Sequence, residues 1–470
     1  MKITCFSINP IFADHVTGGA SKHLLNLCLY LASHGHDIVI LATQAASGQE
    51  PFQIGENIKV KPVLPFHQPF PQPYQVSPGD LAVISEAISD AIRDSDRFYI
   101  HDGELLLPFL YSSIPTAISY RDNYYPESIL GSFISQADAI IAVSEFSASV
   151  LKASAGRAFP DLTERINTVV NGIDTSKFHA TDPSIILEKF GIDLAKDQVI
   201  LHPHRPEVGK GLLETIQVTD LLINQYGFDH VKVLVPQWLS EMNGEVEDNF
   251  HHQIQRELKD RNLENHFIFH PWLSQEQMPA YYSAGNLTLC LGNLVEAFGN
   301  VAYESLACGT PSLVARVGVH RSQLPDDLID KVDYGDIENA AAKAAKILRN
   351  RSRIEGERLK QIVGYFSLDK QLESYERIIV NASKQPTLRY KPSSISESTR
   401  FDLAPWCYHS KAGVYHDYRG EYSQSAELMN ILEHSQTGIG LDQVIEAGAD
   451  WDKLFEWYRQ GYLIPETQVR

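Results

Sequence analysis

The chain has 470 residues, an ordinary apolar fraction of 43%, and a formal net charge of -19. That length accommodates two or three domains. The acidic balance excludes binding to nucleic acid or anionic lipid driven by bulk electrostatics, and no uninterrupted apolar run is long enough to span a bilayer. The opening Met1-Lys-Ile-Thr-Cys-Phe-Ser-Ile-Asn9 lacks the long apolar core and small-residue cleavage site of a secretory leader. The five cysteines, Cys5, Cys28, Cys290, Cys308 and Cys407, are scattered and show no metal-ligand spacing. They read as reduced core thiols of a cytoplasmic protein.

Residues 2–8 read as a short strand, followed by a loop and the pair Gly18-Gly19. From Ala20 onward Leu24, Leu27, Cys28 and Leu31 recur at helical spacing; Gly35 stops the helix and residues 38–42 form the next strand. This is a strand–helix–strand unit with a Gly-Gly turn at the helix N-terminus. The segment Pro65 to Pro78 is proline-rich and reads as a cleft-lining loop. Further short strands at 98–100, 116–119, 139–143 and 168–170 continue the alternation that builds parallel sheets. His101-Asp-Gly-Glu104 stands at one strand end. The pairs Asp94/Asp96 and Asp450/Asp452 lie in polar or helical contexts and read as solvated surface.

A second alternating set starts with a strand at 199–204. Arg205-Pro-Glu-Val-Gly-Lys210 follows it directly and precedes a helix. Two cations there suit a diphosphate, Arg205 as a fork and Lys210 as a point charge. His202 and His204 show no metal spacing and read as local packing. Strands at 231–235 and 266–270 come next, then the loop Pro271-Trp272-Leu273. Residues 287–291 form an apolar strand, and Glu296-Ala-Phe298-Gly299-Asn300-Val301-Ala-Tyr-Glu304 leads from it into a helix. Gly309-Thr-Pro311 stops that helix before a strand at 312–315. Ligands of open α/β sheets sit at such carboxyl ends. Gly299 allows close backbone approach, and free N–H groups from Asn300 and Val301 favour an anion. A carboxylate beside that anion must accept hydrogen bonds from hydroxyls. Glu296, in the loop, suits a sugar; Glu304, in the helix, suits a ribose diol.

The combination E-x7-E with Phe298-Gly299 and Cys308-Gly-Thr-Pro311 resembles the donor-site signature of retaining glycosyltransferases of the GT-B fold, especially family 4. Other segments fit the same resemblance. Gly18-Gly19-Ala-Ser-Lys-His23 is similar to the family's G-G-x-x-x-H, whose glycines approach the donor diphosphate or the acceptor. Arg205 and Lys210 match R-x-x-x-x-K-G. Val170-Asn-Gly-Ile-Asp-Thr-Ser-Lys-Phe178 matches the family's N-G-V/I-D-x-x-x-F. The loop at Trp272 and Leu273 faces the nucleotide base in relatives; here Trp272 either stacks on a base or packs under the loop. Residues 366–379 look like the family's terminal helix, which crosses back to the first domain. The resemblance covers roughly residues 1–383.

The resemblance implies an α/β GT-B fold, two Rossmann-like parallel-sheet domains facing a cleft. From about residue 385 onward the chain lies outside the family pattern, and its own pattern of a hairpin, short helices and a last strand reads as a small C-terminal α+β module. The expected segments are an acceptor-side domain at 1–185, a donor-binding domain at 186–365, a returning helix at 366–384, a linker at 385–400 and a winged-helix-like module at 401–470. It also implies a nucleoside diphosphate sugar of UDP or GDP type as co-substrate, no cofactor, no metal, and a soluble small-molecule, glycan or peptide acceptor. The terminal module either recruits an acceptor or protein partner or caps the first domain. Expected catalytic residues are Glu296, Arg205, Lys210, Arg121 and Asp122. Expected donor contacts are Gly18, Gly19, Trp272, Leu273, Phe298, Gly299, Asn300, Val301 and Glu304.

Two departures stand out. Arg121, in Pro115-Thr-Ala-Ile-Ser-Tyr-Arg-Asp-Asn-Tyr-Tyr-Pro126, replaces the family's histidine beside the anomeric carbon. Arginine cannot shuttle protons but can neutralise a leaving diphosphate. That change supports an alternative, a sugar-nucleotide-binding or partner-binding pseudoenzyme. Ala315-Arg-Val-Gly-Val-His-Arg321 departs from T-x-x-G-G-x-x-E, so either His320 or Arg321 meets phosphate or sugar. A dinucleotide-dependent oxidoreductase is disfavoured, because no G-x-G-x-x-G follows the first strand.

Overall fold

A computed structural model describes residues 1–13, 18–45, 48–66, 76–103, 105–237, 245–392 and 394–466. Most of the proline-rich loop expected at 65–78, and Glu104, lie outside the described residues. The chain forms two compact units. The first holds Met1–Val170, Asp369–His409 and Gln424–Arg470; the second holds Asn171–Leu368 and Ser410–Ser423.

The first unit is built on an eight-stranded sheet. Its spatial order is Phe52–Gln53, Ile58–Leu64, Asp37–Thr43, Lys2–Ser7, Arg97–Ile100, Thr116–Tyr120, Ala139–Ala142, Ile166–Thr168. All pairs are parallel except the edge pair of Phe52–Gln53 with Ile58–Leu64. The strand Ile58–Leu64 is an addition to the sequence reading. Its Lys59, Lys61 and Pro62 interrupt the apolar run, which is tolerated next to a sheet edge. The helix Gly18–Ser33 buries Leu24, Leu27, Cys28 and Leu31, the residues whose spacing predicted it.

The second unit carries a six-stranded parallel sheet. Its order is Phe267–His270, Val231–Pro236, Gln198–Leu201, Leu287–Cys290, Ser312–Ala315, Asp330–Val332. These strands are apolar because helices cover the sheet. Ile200, Val233, Leu289 and Leu313 are fully buried and share one core with Ile216 and Ile254 from the helices Leu212–Asn224 and Glu245–Asp260.

Each sheet reverses its direction of growth once. In the first unit the chain passes outward from Lys2–Ser7, then returns to place Arg97–Ile100 on that strand's other side. In the second, Gln198–Leu201 and Leu287–Cys290 flank the equivalent point. Loops at the carboxyl ends of such strand pairs diverge and leave a crevice, where α/β sheets bind ligands.

The division between units differs from the expected boundary at 185. It falls at Val170/Asn171 because Ile173 donates its N–H to the Phe366 carbonyl at 2.9 Å and Phe178 packs on Tyr282 at 6.2 Å. The expected linker at 385–400 is also different. Lys384 pairs with Asp138 at 3.0 Å, the Leu388 N–H donates to Gln136 at 2.7 Å, and Leu388 is buried. The expected module at 401–470 is divided. Residues 401–409 and 424–470 cluster with the first unit, where Arg157 donates to the Tyr458 hydroxyl at 3.1 Å. The hairpin of Gly413–His416 and Glu421–Ser423 belongs to the second unit.

Candidate functional site

Two loops meet at the switch point of the second unit. One follows Gln198–Leu201 and carries Arg205 and Lys210; the other follows Leu287–Cys290 and carries Glu296. Glycine permits the meeting. A Cβ on Gly211 would lie 2.4 Å from the Gly292 nitrogen, and one on Gly292 would lie 2.1 Å from the Gly209 carbonyl oxygen. The Leu294 N–H donates to the Gly209 carbonyl at 2.9 Å. This contact brings Lys210 Nζ to Glu296 Oε1 at 2.5 Å, a charge-assisted hydrogen bond between side chains 15% and 25% exposed. Burial pushes the Glu296 carboxyl up, but Lys210, with a smaller contribution from Arg205, outweighs it and holds the group below the usual carboxylate range. Arg205 is paired through Nε to Glu207 at 3.0 Å.

The helix Asn300–Ala307 begins beside this pair, with Gly299 at its N-cap in the left-handed region (φ 76) and no side-chain cap. A Cβ on Gly299 would lie 2.4 Å from the His320 ring, so only glycine fits. The first-turn N–H groups, with the positive end of the helix dipole, form an anion-binding end. His320 is buried and pushed down to about 4 by burial, so it is a neutral imidazole; it meets the Tyr303 hydroxyl at 3.1 Å. Glu304, on the same helix, accepts a hydrogen bond from the Tyr282 hydroxyl at 3.0 Å.

Not every expected donor contact faces this site. Phe298 is buried, packed on Tyr303 at 5.1 Å and Phe366 at 5.5 Å, so its side chain is core and only its backbone borders the loop. Trp272 is 50% exposed and therefore not packed under its loop; Leu273 beside it is half-buried. Arg321 is held by Asp417 at 2.6 Å. His202 and His204 are buried and neutral, as local packing requires.

The first unit places a second polar cluster at its own switch point. Asp102 follows Arg97–Ile100, and Asn9 follows Lys2–Ser7; the Asn9 amide lies 3.5 Å from Asp102 Oδ2. Arg121 Nε stands 3.8 Å from Asp102 Oδ1, and its Nη1 donates to the Tyr375 hydroxyl at 3.4 Å. Burial raises the Asp102 carboxyl to about 6, against the pull of Arg121. Its Oδ1 is buried without a hydrogen-bond partner. His101 donates Nε2–H to the Ala20 carbonyl at 2.9 Å, which leaves Nδ1 to accept from the Tyr99 hydroxyl at 3.0 Å. His23 accepts from the Gln371 amide at 2.9 Å and stacks on His101 at 5.4 Å. Burial pushes both imidazoles down, with Arg121 next in effect, so both are neutral. Gly18 and Gly19 open the helix Gly18–Ser33, and both are exposed.

Asp122 is a correction to the expected catalytic set. Its Oδ1 accepts from the Tyr124 and Tyr125 N–H groups, each at 2.9 Å, and its Oδ2 accepts from Ser128 Oγ at 2.7 Å. It braces the turn into the helix Pro126–Ile134. Conversely, Asp102 was absent from the expected set; its only sequence signal was its place after a strand end. Tyr375 and Gln371 reach the same cluster from the helix Leu368–Asn381, which no local motif marks as functional.

A family model described as Glycosyltransferase Family 4 matches residues 17–177, and one described as Glycosyl transferases group 1 matches 187–363. Together they cover more than half of the chain. The chain belongs to the family 4 glycosyltransferases of the GT-B fold. It is similar to the N-acetyl-alpha-D-glucosaminyl L-malate synthase of Bacillus anthracis, 24% identical over 391 residues, covering 77% of this chain and 93% of that protein. It is also 24% identical to the mannosylfructose-phosphate synthase of Agrobacterium fabrum over 225 residues, 44% of this chain; it spans only about half (47%) of that relative's length. Among solved structures, the fold matches sucrose-phosphate synthase from Thermosynechococcus elongatus with a TM-score of 0.65 at 15% identity, covering 80% of this chain and 98% of that one. Anabaena HepE in complex with UDP and glucose matches with a TM-score of 0.63 at 18% identity, covering 81% and 99%. Both matches leave about a fifth of this chain uncovered, at 80% and 81% coverage, and both family models end before residue 364.

Proposed function

We propose that this glycosyltransferase moves a sugar from a nucleoside diphosphate sugar to an acceptor hydroxyl, with retention at the anomeric carbon. The observation that carries the reading is the switch point of the second unit. There the Lys210–Glu296 pair stands beside the uncapped N-terminus at Gly299, with Glu304 one helix face further on. The N–H groups of Asn300 and Val301, with Lys210 and Arg205, would hold the diphosphate. Glu296 would accept from the sugar hydroxyls, and Glu304 from the ribose. A sugar nucleotide is the ligand class that needs anion donors and hydroxyl acceptors so close together. Relatives of similar sequence are named N-acetyl-alpha-D-glucosaminyl L-malate synthase and mannosylfructose-phosphate synthase, and HepE was solved in complex with UDP and glucose.

For retention, the bond from the anomeric carbon to the diphosphate oxygen breaks as the acceptor oxygen bonds to the same face. The departing diphosphate oxygen takes the acceptor's proton. No protein base is required, which fits the lowered basicity of the buried His101 and His23 and the presence of Arg121, which has no basic lone pair, where the family has histidine. The protein's part is to position the reactants and stabilise charge at the diphosphate. Arg121 would add positive charge on the acceptor side.

Proton NMR of the product formed from an α-linked donor tests this reading. An α-configured product, observed before any mutarotation of free sugar, is expected. A β-configured product refutes retention. Tight binding of a nucleotide sugar without turnover on any hydroxyl acceptor or water would instead favour the pseudoenzyme.

A further inference from the structure

The hairpin Gly413–His416/Glu421–Ser423 lies beyond the part of the chain that the family models match, yet it is embedded in the second unit. It reaches both sides of the donor-side loops. A Cβ on Gly420, at its turn, would lie 3.0 Å from the Asn293 amide nitrogen. Asn293 belongs to the loop that carries Glu296, and a Cβ on Gly209 would lie 3.1 Å from its Oδ1. Asp417 reaches the other side. Its Oδ1 accepts from Arg321 Nη2 at 2.6 Å, and its Oδ2 accepts from the Gly318 N–H at 3.3 Å. The next residue, Val319, donates its N–H to the Glu296 carbonyl at 3.2 Å. His320, which follows, lies directly under Gly299. The Tyr422 hydroxyl anchors the second strand by donating to the Tyr334 carbonyl at 2.9 Å.

We propose that this hairpin is a built-in wall of the donor site and that Asp417 is a positioning residue, which sets the turn Gly318–Arg321 and, through the hydrogen bond from Val319, Glu296. The inference rests on the donor reading of the second unit given above. Stability alone is a poor reason for the contact. The Asp417 side chain is fully buried, and a buried ion pair is often no more stabilising than an apolar pair of the same volume. Burial in fact pushes its carboxyl up to about 6, against Arg321. What the pair does provide is direction: two bonds from one rigid carboxylate fix both ends of the short 3-10 turn Gly318–Arg321, which has no side-chain cap of its own at Val317. The bond to Glu296 then carries that order to the residue assigned to the sugar. The hairpin therefore bears on recognition of the sugar more than of the nucleotide.

The test is calorimetric titration of the full chain with UDP, GDP, UDP-glucose, UDP-N-acetylglucosamine and GDP-mannose. It is done on the wild type, Asp417→Asn, Arg321→Gln and the double variant. Each single variant is expected to weaken the best-bound sugar nucleotide by about five- to thirtyfold, while the free nucleotide changes much less. The double variant is expected to be no worse than the weaker single one, because both changes break one device. A lower melting temperature with unchanged affinities would mean a merely structural prop and overturn the proposal. Equal losses for nucleotide and sugar nucleotide, or fully additive losses, would overturn it too. Should Asp417→Asn not fold, Arg321→Gln alone reads the same contact from its partly exposed side. A wild type that binds none of the five ligands would refute the donor reading itself; binding that is intact in both variants refutes only the role of the hairpin.

Discussion

Replacing Lys210 by methionine removes the charge that faces Glu296 while keeping most of the side chain's volume. The pair lies between two limits: exposed ion pairs contribute about 0–1 kcal/mol, and breaking a fully buried one costs about 3–5 kcal/mol. With side chains 15% and 25% exposed and a 2.5 Å contact, the pair belongs between them. A value of about 2 kcal/mol corresponds to roughly thirtyfold in kcat/KM if the charge also serves the transition state. A double-mutant cycle with Glu296→Gln should return a coupling of about 2 kcal/mol in urea unfolding. The pH dependence has a definite sign. Glu296 is held below the usual carboxylate range, so its contribution is present above the unfolded value and lost as pH falls through the folded one. In Lys210→Met the largest favourable influence is gone and burial moves the carboxyl upward. The stability gap between wild type and variant should therefore be widest near neutrality and close on acidification. A coupling near zero, with a gap independent of pH, would falsify this account of the pair.

Three further outcomes follow from the geometry. Gly299→Ala places a Cβ against the His320 ring at a φ of 76, so it should cost about 1–3 kcal/mol in chemical denaturation and weaken nucleotide binding; unchanged values would mean that the loop is not rigid. Glu304→Gln should weaken binding of free UDP or GDP, whereas Glu296→Gln should depress transfer and spare free-nucleotide binding; the reverse pattern by calorimetry would exchange their roles. Asp102 is raised to about 6, so the stability linked to its protonated form is lost as pH rises through that value. The melting temperature of Asp102→Asn minus that of the wild type should consequently climb between pH 5 and pH 7, and a flat difference would contradict the burial argument.

The second unit was legible in detail because its strands are short apolar runs and its candidate site residues lie in the segments that follow strand ends. Arg205, Lys210, Glu296 and Gly299 all fall where the spacing put them. Residues whose role depends on distant chain segments were not legible. Asp122 looks like a reactive carboxylate in sequence, but the N–H groups of Tyr124 and Tyr125 occupy it locally. Phe298 sits inside a site motif, yet Phe366 draws it into the core. Ile58–Leu64 escaped because it is not a continuous apolar run: Lys59 and Lys61 break the run at the outward positions of an alternating strand, and Pro62 disfavours strand by propensity. The C-terminal segment read as one module because its turns and helices are locally complete; its division between units rests on contacts made by Asp417, Tyr422 and Tyr458, which have no local signature.

Binding of a nucleoside diphosphate to the second unit's switch point is the claim on which the rest depends. Calorimetric titration of the full chain with UDP and with GDP, repeated on the Arg205→Ala/Lys210→Met double variant, measures it directly. The account predicts saturable binding of at least one of the two by the wild type and a loss of roughly a hundredfold to ten-thousandfold in the folded variant, from two charge-assisted contacts at roughly 1.5–3 kcal/mol each. Equal affinity in both proteins would contradict it.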